Sequence, residues 1–291
     1  MKSSCPNDYR NNVKPTWCAG CSYYGVLVAL TEVFAQQQIA PHACNVISGI
    51  GCSSRMPLYL NTFGMHTLHG RAIPVAIGAR LANPDVPVVV VGGDGDFFSI
   101  GIGHFVHAAR KNFNLTVICM DNRMYAMTKN QASPTSVSGY RGTLTPFGKL
   151  SVPLNVIEFA IACDATFVSR TFAGSQQHMQ STLTQAFLHQ GFSLVEIIAP
   201  CRTFDRTTSL TTLAPRIKDI NFEEHHDPYN KETALSAAVK ALRYDLSPDA
   251  EIPVGVFWRN QTSTFEEQVA AIKQGNSHHS TIEAIIEEYT L

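Results

Sequence analysis

The sequence predicts an α/β fold in which a doubly wound, mostly parallel sheet carries helices on both faces. Two observations lead to this prediction. From about residue 20 to residue 200, apolar strand-like runs alternate with amphipathic helical stretches, a pattern typical of parallel sheets. Residues 88–91 are consecutive valines, as expected for a strand that is buried on both of its faces.

Periodicity and composition place the individual elements along the chain. The first elements are a helix at 23–37 with apolar residues at helical spacing, a short strand at 45–51 that ends in glycines, a helix at 71–83 rich in small residues, the valine-rich strand at 86–96, an amphipathic helix at 98–112 and an apolar strand at 115–122. The same two criteria then give a helix at 155–163, a strand at 165–170, a helix at 175–190 and a strand at 192–201.

The C-terminal part of the chain has a weaker pattern. Residues 203–232 are polar and poorly periodic, so we predict an extended arm there. The elements predicted after it are a helix at 234–246, a strand at 252–260 and helical segments at 264–273 and 281–289. We therefore predict a domain at 1–202 and a C-terminal arm and extension at 203–291, packed on that domain or on a partner subunit.

Four loops rich in Gly, Asp or Cys directly follow predicted strands. Their sequences are "GIGCSSR", "GGDGD", "MDNRMY" and "APCRTF". In doubly wound sheets, ligands bind beyond the carboxyl ends of the strands. We therefore expect all four loops to lie on one edge of the sheet and to form a single functional region.

Composition limits the classes of function. Of the 291 residues, 45% are apolar and 15% are charged, whereas about 25% charged is typical of soluble domains. The low charge content indicates that partner subunits cover part of the surface. The net charge of −1 predicts neither a nucleic-acid-binding nor a membrane-binding face. The N-terminus lacks the apolar segment of a secretory signal, and we predict a cytoplasmic protein.

The loops after two neighbouring strands carry oxygen ligands that suit magnesium. Asp94 follows the valine-rich strand, and Asn122 follows the next strand, 28 positions later. That spacing fits one βαβ crossover, which would bring the two strand ends together. Magnesium prefers such oxygens and often completes its shell with phosphate. The glycines and the following helix N-terminus would allow a diphosphate to approach the backbone.

Other glycine-rich motifs fit this segment less well. The dinucleotide fingerprint G-x-G-x-x-G fails because Phe98 occupies the place of the third glycine, and no P-loop sequence is present. A plain Gly-Asp turn between strand and helix would explain "GDG" but does not predict the matching "DN" one crossover later.

Four of the eight cysteines lie in loops bounded by Gly, Ser or Pro, where metal ligands commonly occur. These are Cys18, Cys21, Cys52 and Cys201. The C-x-x-C pair alone could be a redox disulfide, and no second C-x-x-C or His pair completes a zinc ribbon. Four thiolates on one edge also suit a [4Fe–4S] cluster. From spacing alone, zinc and the cluster both remain possible.

Several motifs together resemble the β subunits of 2-oxoacid:ferredoxin oxidoreductases. They are "WCAGC", "GIGCSSR", "HTLHGRAIPVAIGARLANPD", "GGDGDFFSIG", "MDNRMYAMTKNQASPTS" and "IAPCRTF", in family order over residues 15–205. The resemblance seen in these motifs is greatest to 2-oxoglutarate:ferredoxin oxidoreductase, and it implies a sheet of the thiamine diphosphate-binding type.

The resemblance also implies ligands and contacts. Mg²⁺ would be held by the side chains of Asp94 and Asn122 and by the backbone carbonyl of Met124. One [4Fe–4S] cluster would be held by the four loop cysteines. The residues implied around thiamine diphosphate are Ile50, Gly51, Ser53, Ser54, His69, Gly70, Gly93, Gly95, Asp96 and Tyr125. Tyr125 begins a segment, 125–131, that would close over the thiazolium, and this chain has Lys129 and Asn130 where the family commonly has two glycines.

The activity implied by the resemblance is the coenzyme A-dependent oxidative decarboxylation of a 2-oxoacid, with electrons leaving through the cluster to ferredoxin. The pyrimidine-activating carboxylate would come from a partner α subunit in an (αβ)₂ assembly. We hypothesise that His66 and His69 help to position substrate or cofactor, and that Arg55, Arg71 or Lys129 could meet a substrate carboxylate. Alternatives are pyruvate or a branched-chain 2-oxoacid as substrate, a non-redox thiamine enzyme, and a zinc-stabilised scaffold.

Overall fold

A computed structural model of the chain describes residues 4–243 and 250–275 together with the single residue 286. The helices are α1 (Tyr23–Gln36), α2 (Ala72–Ala82), α3 (Ile102–Arg110), α4 (Val156–Ala162), α5 (Gln176–Leu188), α6 (Leu210–Leu213), α7 (Lys231–Arg243) and α8 (Phe265–Gly275). The strands are β1 (Asn45–Ser48), β2 (Phe63–His66), β3 (Val88–Gly92), β4 (Leu115–Asp121), β5 (Met124–Tyr125), β6 (Gln131–Ala132), β7 (Phe167–Phe172), β8 (Phe192–Ile198), β9 (Ile217–Asp219) and β10 (Ile252–Arg259).

Eight of these strands form one mostly parallel sheet in the order β2-β1-β3-β4-β8-β7-β10-β9. The six strands from β2 to β7 in this order are parallel to their neighbours. Strand β10 runs antiparallel to β7, and β9 pairs in parallel with β10. The predicted doubly wound α/β fold is therefore confirmed.

Alternation along the valine strand builds two separate cores, one on each face of the sheet. Val88 and Val90 pack in a core with α2, α3, α4 and α7. Val89 and Val91 point to the opposite face and pack in a core with α1 and α5. Successive side chains of a strand point to opposite faces, so a run of four apolar residues is what a sheet covered by helices on both sides requires.

The topology reverses direction between β1 and β3. These strands are hydrogen-bonded neighbours, but the chain continues from β1 to β2 on one side and from β3 to β4 on the other. The loops that follow β1 and β3 therefore diverge at the carboxyl edge. A crevice at this reversal is the usual ligand site of doubly wound sheets.

The structure differs from the sequence prediction in several places. The predicted helix at 98–112 starts instead as a π-helical turn, Asp96–Ile100, before α3. Residues 203–232 do not form an extended arm, because they contain α6 and β9, and β9 pairs with β10. The sheet thus continues across position 202, where we predict a domain boundary. The predicted helix at 281–289 lies outside the described residues except at Ile286.

Within the described ranges, no helix is both long enough and apolar enough to span a membrane.

Candidate cofactor and metal site

The crevice at the topological reversal contains a cavity of about 240 Å³, here called the Asp94 cavity. Its walls come from the start of α1 and from the loops after β1, β2, β3 and β4. The lining residues are Tyr23, Ile50, Gly51, Cys52, Ser53, His69, Gly93, Asp94, Gly95, Asp96, Asn122, Met124, Tyr125, Ala126, Met127 and Thr128. Three separate loops predicted to share one edge therefore meet in one cavity.

Asp94 is the deeply buried acid of this cavity, with 1% of its surface exposed. Its Oδ2 accepts a hydrogen bond from the Thr135 hydroxyl at 2.7 Å. Burial raises the pKa of Asp94, and hydrogen bonds from Ser133 and Thr135 partly oppose that shift. A carboxylate in such a place gains stability from a bound cation, because the cation replaces the solvation that burial removes.

Asn122 and Met124 supply the other predicted metal-ligating oxygens and line the same cavity. The Asn122 Oδ1 atom accepts a hydrogen bond from the Met124 amide at 3.2 Å, which shapes the loop as a turn. One carboxylate, one side-chain amide oxygen and one backbone carbonyl are hard donors of the kind that magnesium prefers. The chemistry of this donor set suits the predicted ion.

Asp96 acts as a clamp between loops. Its Oδ1 accepts hydrogen bonds from the amide of Ile50 at 3.1 Å and the amide of Gly70 at 2.8 Å. The same oxygen lies 2.8 Å from Nδ1 of His69. A methyl group at Gly49 would lie only 1.9 Å from Oδ2. Asp96 therefore lies in the wall of the cavity. Its carboxylate, however, holds the loops after β1 and β2 together.

We expect Asp96→Ala to weaken the binding of thiamine diphosphate by about 10–100-fold, as loss of a supporting hydrogen-bond partner commonly does at metal sites. The change leaves the amides of Ile50 and Gly70 without an acceptor and releases both loops. Isothermal titration calorimetry with thiamine diphosphate, in the presence of Mg²⁺, measures the affinity. Asp96→Asn is the matched control, since its amide oxygen can still accept at the Oδ1 position. Equal affinity in Asp96→Ala and the unmodified chain would rule out the clamp.

His69 and Tyr125 form one wall of the cavity. Their ring centroids lie 6.0 Å apart in an edge-on arrangement, and the Tyr125 hydroxyl donates to the carbonyl of Gly95 at 3.3 Å. A Cβ atom at Gly95 would lie 2.3 Å from the Tyr125 ring. Glycine at position 95 is therefore required for the tyrosine to close over the turn.

The segment after Tyr125 has an unusual backbone. Lys129 and Asn130 have φ angles of 71° and 83°, in the left-handed region that favours glycine. Thr143 holds this turn through a hydrogen bond from its hydroxyl to the Lys129 carbonyl at 2.8 Å. Glycine adopts this conformation most easily, and asparagine also tolerates it, whereas lysine adopts it uncommonly.

A second cavity of about 300 Å³, here called the cysteine cavity, adjoins the first. All four loop cysteines line it: Cys18, Cys21, Cys52 and Cys201. Three cations, Arg55, Lys129 and Arg202, also line it. The residues shared by both cavities are Tyr23, Cys52, Asn122, Ala126 and Met127. The structure thus brings together cysteines that are separated by up to 183 positions (201 − 18).

Local contacts position the cysteine loops. The amide of Cys21 donates to the carbonyl of Cys18 at 3.1 Å, and Gly20 takes a φ of 73° within this turn. The Trp17 indole donates to the carbonyl of Cys52 at 2.7 Å. These bonds tie the C-x-x-C turn to the loop after β1, which explains how two distant segments share one cavity.

The thiols interact electrostatically. Burial raises the pKa of Cys21 to about 11, and the proximity of Cys201, Cys52 and Cys18 adds to that rise. Burial also raises the pKa of Cys52, while the Arg55 guanidinium opposes it. The four sulfurs therefore lie close enough to affect one another, and they become metal ligands only by losing protons.

Two kinds of metal centre use four cysteines, a single zinc ion and a [4Fe–4S] cluster. Among the described residues, no group of three or more His, Cys, Asp or Glu side chains lies close enough to hold one metal ion. The four cysteines share the cavity without forming such a group.

Four predicted residues, Ser54, His66, Gly70 and Arg71, lie behind the cavities and do not line them. His66 Nδ1 lies 2.9 Å from the carbonyl of Ser54 and 3.0 Å from the Ser48 hydroxyl. The amide of Gly70 donates to Asp96. Arg71, a candidate for the substrate carboxylate, contacts His104 at 2.7 Å. In this structure Ser54, His66 and Gly70 support the loops that surround the site.

Two residues of the site escaped the sequence analysis. Tyr23 lines both cavities, and its hydroxyl donates to the carbonyl of Met120 at 3.0 Å. Thr135 joins the carboxylates of Asp94 and Asp121, at 2.7 and 3.0 Å. Tyr23 lies two positions after the C-x-x-C motif, which is an available signal, whereas nothing in the local sequence marks Thr135.

Two family models match the chain. Residues 49–197 match the family described as "Thiamine pyrophosphate enzyme, C-terminal TPP binding domain". Residues 201–274 match the family of C-terminal regions from the beta subunits of pyruvate ferredoxin oxidoreductase. The first match includes every lining residue of the Asp94 cavity except Tyr23.

Individual relatives align over most of the chain. It is 37% identical to the 2-oxoacid:ferredoxin oxidoreductase 1 subunit beta of Aeropyrum pernix, over 93% of this chain and 86% of that protein. It is 41% identical to the 2-oxoglutarate oxidoreductase subunit KorB of Mycobacterium tuberculosis, over 68% of this chain and 53% of that protein.

A solved structure also matches. It is the 2-oxoglutarate:ferredoxin oxidoreductase from Magnetococcus marinus with 2-oxoglutarate, coenzyme A and succinyl-CoA bound. The TM-score is 0.91 at 36% identity, and the match covers 100% of this chain and 98% of that one.

Proposed function

Because this chain belongs to the family of 2-oxoacid:ferredoxin oxidoreductase β subunits, we propose that it serves the coenzyme A-dependent oxidative decarboxylation of 2-oxoglutarate, with ferredoxin as electron acceptor. The comparisons confirm the family predicted from the motifs and its place among the oxidoreductases. The choice of 2-oxoglutarate is supported by the names of the M. tuberculosis relative and the M. marinus structure. Pyruvate and branched-chain 2-oxoacids are the competing substrates.

The proposal rests on one observation, namely that the two cavities share a wall. Cys52 lines both, and Tyr23, Asn122, Ala126 and Met127 complete the boundary. A centre that releases electrons and a centre that accepts them must lie close together for transfer to compete with side reactions. A non-redox thiamine enzyme would have no use for four cysteines at that position.

The Asp94 cavity would hold thiamine diphosphate and Mg²⁺. When bound, thiamine diphosphate supplies the nucleophilic carbon and the electron sink that decarboxylation of a 2-oxoacid requires. Asp94, Asn122 and the Met124 carbonyl would hold the metal ion, and Gly93 and Gly95 would let the diphosphate approach the backbone. Tyr125 and His69 would exclude water from one side of the cavity.

The cysteine cavity would hold a [4Fe–4S] cluster on Cys18, Cys21, Cys52 and Cys201. Such a cluster accepts and donates single electrons, and four thiolates complete its ligands. The C-x-x-C turn and the Trp17–Cys52 hydrogen bond would hold the ligands in place before loading.

An α subunit is expected to complete the site. Asp94 and Asp96 are the carboxylates among the residues that line the Asp94 cavity, and both are engaged, by Thr135 and by the loop amides. Neither is available to activate the aminopyrimidine ring. The relatives are named as β subunits, and we propose that the missing carboxylate comes from the α partner of an (αβ)₂ assembly.

An assay of the purified αβ complex tests the function. We expect reduction of methyl viologen that depends on coenzyme A and thiamine diphosphate, fastest with 2-oxoglutarate in a panel that includes pyruvate and 2-oxoisovalerate. The β chain alone should be inactive. Equal or higher kcat/KM with another 2-oxoacid would contradict the substrate assignment, and decarboxylation without acceptor reduction would indicate a non-redox enzyme.

A further inference from the structure

The charged residues that line the cysteine cavity are all cations. They are Arg55, Lys129 and Arg202. The whole chain is nearly neutral, with 22 Lys and Arg against 23 Asp and Glu. Three lining cations without one lining acid are therefore a local concentration of charge.

Two of the cations and one of the cysteines face solvent. Lys129 and Arg202 are exposed, and Arg55 is half-buried. The Arg55 guanidinium donates to the Thr16 hydroxyl at 2.7 Å, which fixes it beside the C-x-x-C turn. Cys18 is exposed, whereas the other three cysteines of the cavity are half-buried. The Cys18 corner is thus the part of the cavity nearest to an approaching molecule.

Apolar side chains lie between these cations. Met127 is 39% exposed and Phe204 is 37% exposed, and both line the cysteine cavity. The acid nearest in sequence, Asp205, has its Oδ1 turned to its own loop, where it accepts from the Thr207 and Thr208 amides at 2.9 and 3.0 Å. The surface therefore combines a small apolar centre with a cationic border.

We propose that this surface, which we call the Cys18 face, is the docking site for a small acidic electron-carrier protein. The proposal rests on the proposed function, since a carrier needs a redox centre beneath the surface it contacts. Electrostatic complementarity raises the rate of encounter more than it raises affinity, and transient redox complexes use small interfaces. A neutral or basic carrier would gain nothing from a border of three cations.

Charge reversal on the αβ complex tests the Cys18 face. A recombinant acidic ferredoxin and methyl viologen at saturation serve as alternative acceptors. We expect Arg202→Glu to lower kcat/KM for ferredoxin about tenfold at low ionic strength, with the difference shrinking as salt is added. The rate with methyl viologen should fall by a much smaller factor, because the dye does not need the protein interface. Lys14→Glu, on the exposed segment that leads into the C-x-x-C turn, provides a second variant.

Arg110→Glu is the matched control. Arg110 is exposed at the end of α3, which runs from the carboxyl end of β3 toward the start of β4, so it lies at the opposite edge of the sheet. Its ferredoxin kinetics should match those of the unmodified complex. Ferredoxin kinetics unchanged in both Arg202→Glu and Lys14→Glu, or an equal loss with both acceptors, would overturn the docking proposal. An unmodified complex that reduces neither acceptor would instead overturn the proposed function, and the docking proposal with it.

Discussion

Replacing Asp94 by Asn is expected to lower the affinity of the αβ complex for thiamine diphosphate by at least about 100-fold in the presence of Mg²⁺. Asp94 is the one carboxylate among the predicted ligands, so the variant would offer the ion only neutral oxygens. The diphosphate depends on that ion, and turnover at ordinary cofactor concentrations should be lost. Isothermal titration calorimetry measures the affinity, and the visible spectrum shows whether the cysteine cavity is still loaded.

Asp121→Asn is the control for this prediction. Asp121 is also buried, with 4% of its surface exposed, and its Oδ1 lies 3.0 Å from the same Thr135 hydroxyl. It does not line the Asp94 cavity. Burial raises the pKa of Asp121 well above its usual range, and the negative charge of Asp94 adds to the rise.

A neutral amide at position 121 therefore replaces a carboxyl group whose charged form burial already disfavours, and we expect most of the cofactor affinity to remain. Asp94→Asn with unchanged affinity would refute the metal assignment. An equal loss in both variants would show that the buried network as a whole, and not the ligand, is responsible.

The central part of the fold could be predicted because its signals are local. The strands β3, β4 and β8 are buried along their whole length, and their largely apolar sequences are typical of parallel strands covered on both faces. The helices α1, α2 and α5 lie within two residues of the predicted ends. For these elements, burial alone determines both the sequence pattern and the structure.

The edge strands could not be predicted because they owe their structure to their neighbours. All four residues of β2 are exposed, and β9 has three residues, none of them buried. Neither has the alternation that marks a half-buried strand. Each forms because an adjacent strand, β1 or β10, offers unpaired backbone groups. Such pairing depends on tertiary context more than on the side chains of the strand.

In the candidate site too, some features could be predicted from the sequence and others could not. The loops after β1, β3 and β4 could be placed together from the rule that parallel strands end on one edge. The role of Asp96 could not, because a carboxylate that binds backbone amides has the same sequence appearance as one that faces a ligand. The same holds for Thr135, whose contact with Asp94 spans 41 positions. Side-chain direction at a turn is decided by packing, and the local sequence does not record it.

Replacing Cys52 by Ser is expected to remove the iron–sulfur cluster while leaving thiamine diphosphate bound. Cys52 lies on the wall between the two cavities, so this position tests both the cluster and its separation from the metal site. A serine oxygen is a hard donor and replaces a thiolate poorly as a ligand of iron in a cluster. Iron and acid-labile sulfide should fall, the broad visible absorption should disappear, and reduction of ferredoxin should be abolished.

Cys5→Ser is the matched control, because Cys5 is exposed and lines neither cavity. It should retain iron, sulfide and colour. If the cysteines bind zinc instead, the unmodified protein should be colourless and contain about one zinc ion per chain, bound by the same thiolates. Iron content unchanged in Cys52→Ser would contradict the assignment of Cys52 as a cluster ligand. The result also bears on the docking proposal, because without the cluster the Cys18 face has no redox centre beneath it to deliver electrons.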